Sequence, residues 1–254
     1  MNLFTQTLGD GADVVLLHGW GMNADVWEGI LPTLTKQFRV TLLDLPGHGR
    51  SLDSLADYSL KNLAATIDAF IPQNAMLIGW SLGGMIATQL TLNKPDNIRK
   101  LVLVASAPQF VRDDTWPDGT EAEVLDSFAD GLKQNYQQTI KRFIAIQAMG
   151  SEHAREQQHI LRERVFRHGN PQPAALEAGL AILRHTNLRP GLAKIACPTL
   201  LISGEHDALF RRSAAEKTQA MMADARLSVI PGAGHAPFLS HPDAFLQTLV
   251  PFLS

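Results

Sequence analysis

The sequence predicts a doubly wound α/β fold, a mostly parallel central sheet flanked by helices, with a helical insertion. Two observations carry that prediction. Short β-branched or leucine-rich runs alternate with helical patterns along the chain, and most of these runs stop at Gly, Pro or Asp. One run leads directly into GWSLGG, residues 79–84, where a strand must turn abruptly into a helix. Continuous apolar runs bounded by turn residues are what a parallel sheet covered on both faces requires, and their alternation with helices gives the layered α/β arrangement.

In chain order the expected strands are VVLL (14–17), VTLL (40–43), MLI (76–78), LVLVA (101–105), TLLIS (199–203) and LSVI (227–230). Between residues 108 and 187 strand-like runs disappear and patterns such as TIKRFIAIQAMG take over. The expected organisation is therefore a core domain made of residues 1–107 and 188–254, with residues 108–187 as a helical cap. No internal repeat or low-complexity segment interrupts it.

Composition limits the function. With 254 residues, 45% of them hydrophobic, the chain can bury a large single core. A formal charge of -3 gives no basic field, which argues against nucleic-acid binding. The N-terminus lacks the basic and apolar regions of a signal peptide, and no apolar run approaches a membrane span. A cytoplasmic protein without membrane attachment is expected, and a monomer. The single cysteine, Cys197, excludes an intrachain disulfide and any cysteine-based metal cluster, and its place before Pro198 suits a small core residue. Neither a cofactor nor a metal is called for.

The chemistry concentrates around Ser81. A nucleophilic serine must stand above the sheet, and a sharp strand-to-helix turn achieves this by holding it in strained dihedrals. Gly79 and Gly83 supply the room two residues either side. The helix starting at Leu82 aims its free N–H groups at any oxyanion formed there. Serine needs an adjacent base and that base an orienting acid, in the chain order Ser, Asp or Glu, His. His235, in PGAGHAPF after LSVI, is the expected base. Asp207, in SGEHDALF after TLLIS, is the favoured acid, with Glu205 and His206 as neighbouring competitors. Trp20, in LLHGWG, is placed to give a second oxyanion N–H while its indole walls the pocket. His18 reads as a turn-stabilising residue, and DLPGHGRS (44–51) as a loop that braces the site.

HGWG, DLPGHGRS, GWSLGGMIA and the Asp207 and GHAPF pair resemble the α/β-hydrolase superfamily. LLHGWGMNADVW, GWSLGG, DDTWP, RFIAIQAMG and HAPFLSHP more closely resemble the pimeloyl-[acyl-carrier protein] methyl ester esterase family of biotin synthesis, from about residue 14 to 245. The resemblance implies a Ser81, Asp207 and His235 triad, with Trp20 and Leu82 at the acyl carbonyl. It implies that Phe143, Ile144, Ala145, Ile146 and Gln147 line the acyl channel. It also implies arginines in the cap that grip an acyl carrier protein. Arg142 and Arg155 match that pattern, whereas Gln138 and His159 stand where arginine is expected and Arg162 or Arg164 would compensate.

Read without the family, Ile140, Phe143, Ile144 and Gln147 recur at i, i+3, i+4 and i+7, one apolar helix face that either packs on the core or roofs a channel over Ser81. Residues 138–168 hold six Lys or Arg against three acids, a locally basic cap suited to an acidic partner. The same triad would serve a broad short-chain carboxylesterase, an enol-lactonase or a carbon-carbon bond hydrolase. A ligand-binding receptor on this fold would keep the pocket without turnover.

Overall fold

The computed structural model describes residues 2–53 and 55–254. Seven strands form one sheet: β1 (Thr5–Leu8), β2 (Ala12–Leu17), β3 (Phe38–Leu43), β4 (Ala75–Trp80), β5 (Ile98–Val104), β6 (Thr199–Gly204) and β7 (Ala225–Ile230). They lie in the order β1-β3-β2-β4-β5-β6-β7, all parallel except β1, which pairs antiparallel with β3. The core of this sheet sits where the apolar runs predict: every residue of β4 and β6 is buried. β1 was not foreseen, because TQTL is a polar edge strand with three exposed residues. It is held by its ladder to β3 and by the Thr7 and Thr41 hydroxyls 3.0 Å apart.

The helices are α1 (Leu31–Leu34), α2 (Leu60–Asp68), α3 (Leu82–Asn93), α4 (Ala122–Gln134), α5 (Tyr136–Gln147), α6 (Ala154–Phe166), α7 (Pro173–His185), α8 (Arg212–Ala220), α9 (Pro237–Ser240) and α10 (Pro242–Leu253). α2 is started by Ser59, whose hydroxyl accepts from the Asn62 N–H, and buries Leu60, Leu63, Ala64 and Ile67 on one face. α3 follows Ser81 and is almost wholly buried. Cys197 is buried, and desolvation pushes its thiol up to about 11, so it behaves as a small apolar residue.

Helices α4 to α7 all fall between β5 and β6. They cover the carboxyl end of the sheet, where every parallel strand delivers its loop. The loop after β2 is one place where this helical segment is fastened to the core, through Trp20, Asn23 and Asp25. Trp20, fully buried, donates from Nε1 to the Leu176 carbonyl at 2.8 Å and meets Phe143 edge-on with centroids 4.7 Å apart. Asn23 Nδ2 donates to the Arg164 carbonyl at 2.8 Å. Asp25 gathers Arg167 (3.0 Å) and His168 (2.8 Å) from the segment and Arg50 (2.9 Å) from the core.

The turn between β4 and α3 depends on absent side chains. A Cβ on Gly79 would lie 2.3 Å from the Gly83 carbonyl oxygen, and one on Gly83 would lie 2.3 Å from that of Leu17. Both obstacles are backbone and cannot yield. Gly79→Ala is therefore expected to lower stability in urea unfolding by roughly 1–3 kcal/mol or more. Gly29→Ala, at a position where an added Cβ meets nothing within 4 Å, should leave the midpoint nearly unchanged.

Candidate active site

Ser81 stands at the carboxyl end of β4 with φ 54° and ψ -116°, a conformation an L-residue adopts only when its surroundings impose it. Those surroundings are visible. The Ser81 N–H donates to the Val104 carbonyl at 2.9 Å, and the Ser81 carbonyl accepts from Ser106 Oγ at 2.7 Å and from the Gly84 N–H at 2.9 Å. The backbone is thus pinned from β5 on one side and α3 on the other. No protein acceptor among the described residues takes the backbone N–H of Leu82 or of Trp20. Both remain available to an anion.

Asp207 follows β6 and His235 follows β7, so the two loops meet at the same edge of the sheet. His235 Nδ1 lies 2.8 and 3.0 Å from the two Asp207 oxygens, and both side chains are fully buried. Asp207 Oδ1 also accepts from the Leu209 and Phe210 N–H groups, each at 2.9 Å. The Asp207 oxygens act as acceptors throughout, so the His235 proton lies on Nδ1 and Nε2 keeps its lone pair. Nε2 is buried and has no partner among the described residues. Glu205 instead accepts from the Gly232 N–H at 3.0 Å and is half exposed, while His206 lies beside Glu205 at 3.7 Å. Of the three candidates after β6, only Asp207 meets His235.

Two contacts at His235 carry no sequence signal. The Trp80 indole donates to the His235 carbonyl at 2.8 Å, tying the base loop to the residue before Ser81. The His235 N–H donates to the Gln147 carbonyl at 3.1 Å, tying the same loop to the end of α5. A backbone acceptor contributed by a helix terminus depends on tertiary placement, and residue identity does not reveal it.

The helix periodicity divides the expected channel residues. Phe143, Ile144 and Gln147 are buried, whereas Ala145 and Ile146 are only partly so, because five consecutive helical residues cannot share one face. The docking arginines divide as well. Arg142, Arg155 and Arg162 are exposed. Arg164 is not free for a partner: its side chain is 14% exposed, pairs with Glu28 at 3.4 Å and donates to the Val26 carbonyl at 3.1 Å. Arg167, which also contributed to the basic count, is held by Asp25, Glu28 and Glu163.

The loop after β2 is braced by a buried polar network. His18 Nδ1 is 2.8 Å from the Gly19 carbonyl and its Nε2 accepts from the Leu45 N–H at 2.9 Å, which fixes a neutral tautomer. Burial pulls its pKa down. His48, 5.4 Å away ring to ring, is held down to about 3 by burial and then by its neighbour His18. Burial alone would raise Asp44, but hydrogen bonds from Arg50 hold its carboxyl below the usual value. Asp44 in turn accepts from the Ala24 N–H at 2.7 Å and fixes the start of the Trp20 loop.

This arrangement belongs to a known class. The chain belongs to the alpha/beta hydrolase family, whose family model matches residues 14–248. It is 43% identical over 254 residues, the full length of both chains, to the pimeloyl-[acyl-carrier protein] methyl ester esterase of Aeromonas hydrophila. The protein of the same description from Edwardsiella ictaluri is 44% identical over 98% of this chain and 96% of its own. Among solved structures, an esterase from Exiguobacterium antarcticum superposes with a TM-score of 0.90 at 30% identity, covering 99% of this chain and 95% of its own. An enol-lactonase from Burkholderia xenovorans, 22% identical with a TM-score of 0.85 over 99% of this chain and 96% of its own, shares the fold.

The buried histidines set an acid limit on stability. Below the ordinary histidine value of 6.5 the unfolded chain takes up protons that folded His18 and His48 refuse. Stability is therefore full above that value and falls as the pH drops toward 4. Replacing His48 with Gln removes one such group and should flatten the pH dependence between 6 and 4 by about 1 kcal/mol per pH unit, measured by urea unfolding at each pH.

Proposed function

We propose that this chain is a serine carboxylesterase that hydrolyses the methyl ester of pimeloyl-[acyl-carrier protein], releasing methanol, in the cytoplasmic synthesis of biotin. The observation that carries the reading is the buried Asp207 and His235 pair, its free Nε2 on the same sheet edge as strained Ser81. The full-length similarity to esterases of that description supports the substrate.

His235 Nε2 takes the Ser81 proton as Oγ attacks the ester carbonyl. Asp207 holds the imidazole in the required tautomer and stabilises the imidazolium that forms. The Trp20 and Leu82 N–H groups receive the oxyanion, and each such donor contributes on the order of 3 kcal/mol to the transition state. His235 then gives its proton to departing methanol, and water releases the acid by the same route.

The carrier-bound substrate also contains a thioester, the more reactive bond, so selectivity rests on positioning. The four-helix segment acts as the cap that supplies it. An apolar passage burying about five methylenes contributes roughly 4 kcal/mol, which draws the far end of the chain to Ser81 and keeps the thioester outside. Phe143 is 4% exposed and packed against Trp20 and Phe128. An acyl chain seated there displaces that aromatic contact. Arg142, Arg155 and Arg162 form the exposed basic face for the acidic carrier, with Arg155 and Arg162 at i and i+7 of α6.

Intact-mass measurement of an acyl carrier protein loaded with pimeloyl methyl ester tests the reaction. Loss of only the methyl group with the wild type, and no change with Ser81→Ala, is expected; loss of the whole acyl chain marks a thioesterase, and an unchanged carrier with turnover of small esters marks a broad carboxylesterase. Asp207→Asn should lower kcat by about 10⁴. Reversing Arg142 and Arg155 to Glu together should raise KM for the carrier-bound substrate while sparing a small ester; equal effects on both substrates would refute the docking face.

A further inference from the structure

The junction between α5 and α6 lies against the loop after β7 and the start of α10. The Glu152 N–H donates to the Gly232 carbonyl at 3.1 Å, and a Cβ on Gly232 would lie 2.7 Å from the Glu152 carboxyl carbon. His241, immediately before α10, faces this junction. Its ring centroid is 5.1 Å from that of His153, and its Nε2 is 4.0 Å from Glu152 Oε2. One ligating atom from each of Glu152, His153 and His241 falls within 4.8 Å of the others.

The orientation of His241 gives these distances a chemical meaning. Its Nδ1 is 2.9 Å from Ser240 Oγ, and that hydroxyl donates to the Ala236 carbonyl at 3.4 Å. A metal on His241 Nε2 requires the imidazole proton on Nδ1, and the Ser240 oxygen is in reach to accept it. In that tautomer His241 Nε2 carries its lone pair toward a carboxylate. Two electron-rich groups face each other across the gap, with a second imidazole beside them, and a cation satisfies all three. A hydrogen bond that fixes the tautomer of one nitrogen is also how ligating histidines are oriented.

We propose that Glu152, His153 and His241 bind a divalent transition metal of the zinc type, and that the metal pins the helical segment to the core. Two imidazoles and one carboxylate suit zinc and exclude the all-oxygen preference of magnesium and calcium. Tetrahedral bonds of about 2.0–2.1 Å place ligand atoms roughly 3.4 Å apart, so the side chains must close by at most about 1.4 Å. Glu152 is 71% exposed and His153 is also exposed, and both are free to make that movement toward the more enclosed His241. No spacing pattern marks such a set, because Glu152 and His153 are far from His241 along the chain and only the fold unites them.

Zinc chloride titrated calorimetrically into the full chain is the test. One equivalent should bind, with affinity at least tenfold weaker in His153→Gln and in His241→Gln and unchanged in His206→Gln, the other exposed histidine beside a glutamate. Zinc should also slow hydrogen exchange of the Glu152 amide in the wild type and not in the double histidine variant. Equal zinc affinity in the wild type and the double variant, or no binding at millimolar zinc, would overturn the site. Binding without slowed exchange would overturn the pinning.

Discussion

The rest of the site depends on a steric constraint in the backbone. Gly79, Gly83 and the Leu17 carbonyl approach so closely that no side chain fits between them, and Ser81, left with φ 54°, projects from the turn. Its position is a consequence of β2, β4 and α3 packing backbone to backbone. The hydrogen bonds from Ser106 and to Val104 hold the strained residue there, so strain at one residue is offset by order in three elements. The same crowding places the start of α3 at the carboxyl end of β4 with the Leu82 N–H unbonded, so the strained serine and a free backbone donor arise from one local geometry.

A second set of contacts decides what lies opposite. Asp207 and His235 come from different loops: Asp207 is fixed by two backbone N–H groups, and His235 is held through its own backbone by the Trp80 indole and the Gln147 carbonyl. Burial then makes the pair consequential. Between fully buried groups a carboxylate and an imidazole interact far more strongly than at a surface, and the tautomer that Asp207 imposes leaves Nε2 as the only basic nitrogen.

Much of this was legible in the residues. Buried parallel strands must be apolar, so the five interior ones were visible as runs, and the edge strand β7 was visible only because LSVI keeps an apolar pattern; β1, an edge strand of sequence TQTL, has none. Gly79, Ser81 and Gly83 were legible because their spacing has a steric cause. Asp207 could be favoured over Glu205 but not separated from it, since a choice between adjacent acids depends on which way a loop turns. The arginines were the least legible. Arg164 and Arg162 are two residues apart on one helix, and only the position of Glu28 and Val26 on the core shows that one is internal and the other faces solvent.

Asp25 sits where the core Arg50 and the helical segment's Arg167 and His168 converge. Its carboxylate is shared by two parts of the chain, the loops beside Ser81 on the core and the end of α6 on the helical segment. A helical segment exchanged for that of another hydrolase would therefore arrive facing an acid it was not built to satisfy, and would strand that charge against Arg50 alone. The helices cannot change independently of the core; the loop of residues 23–28 has to change with them, which makes that loop a record of which helical segment the core has inherited.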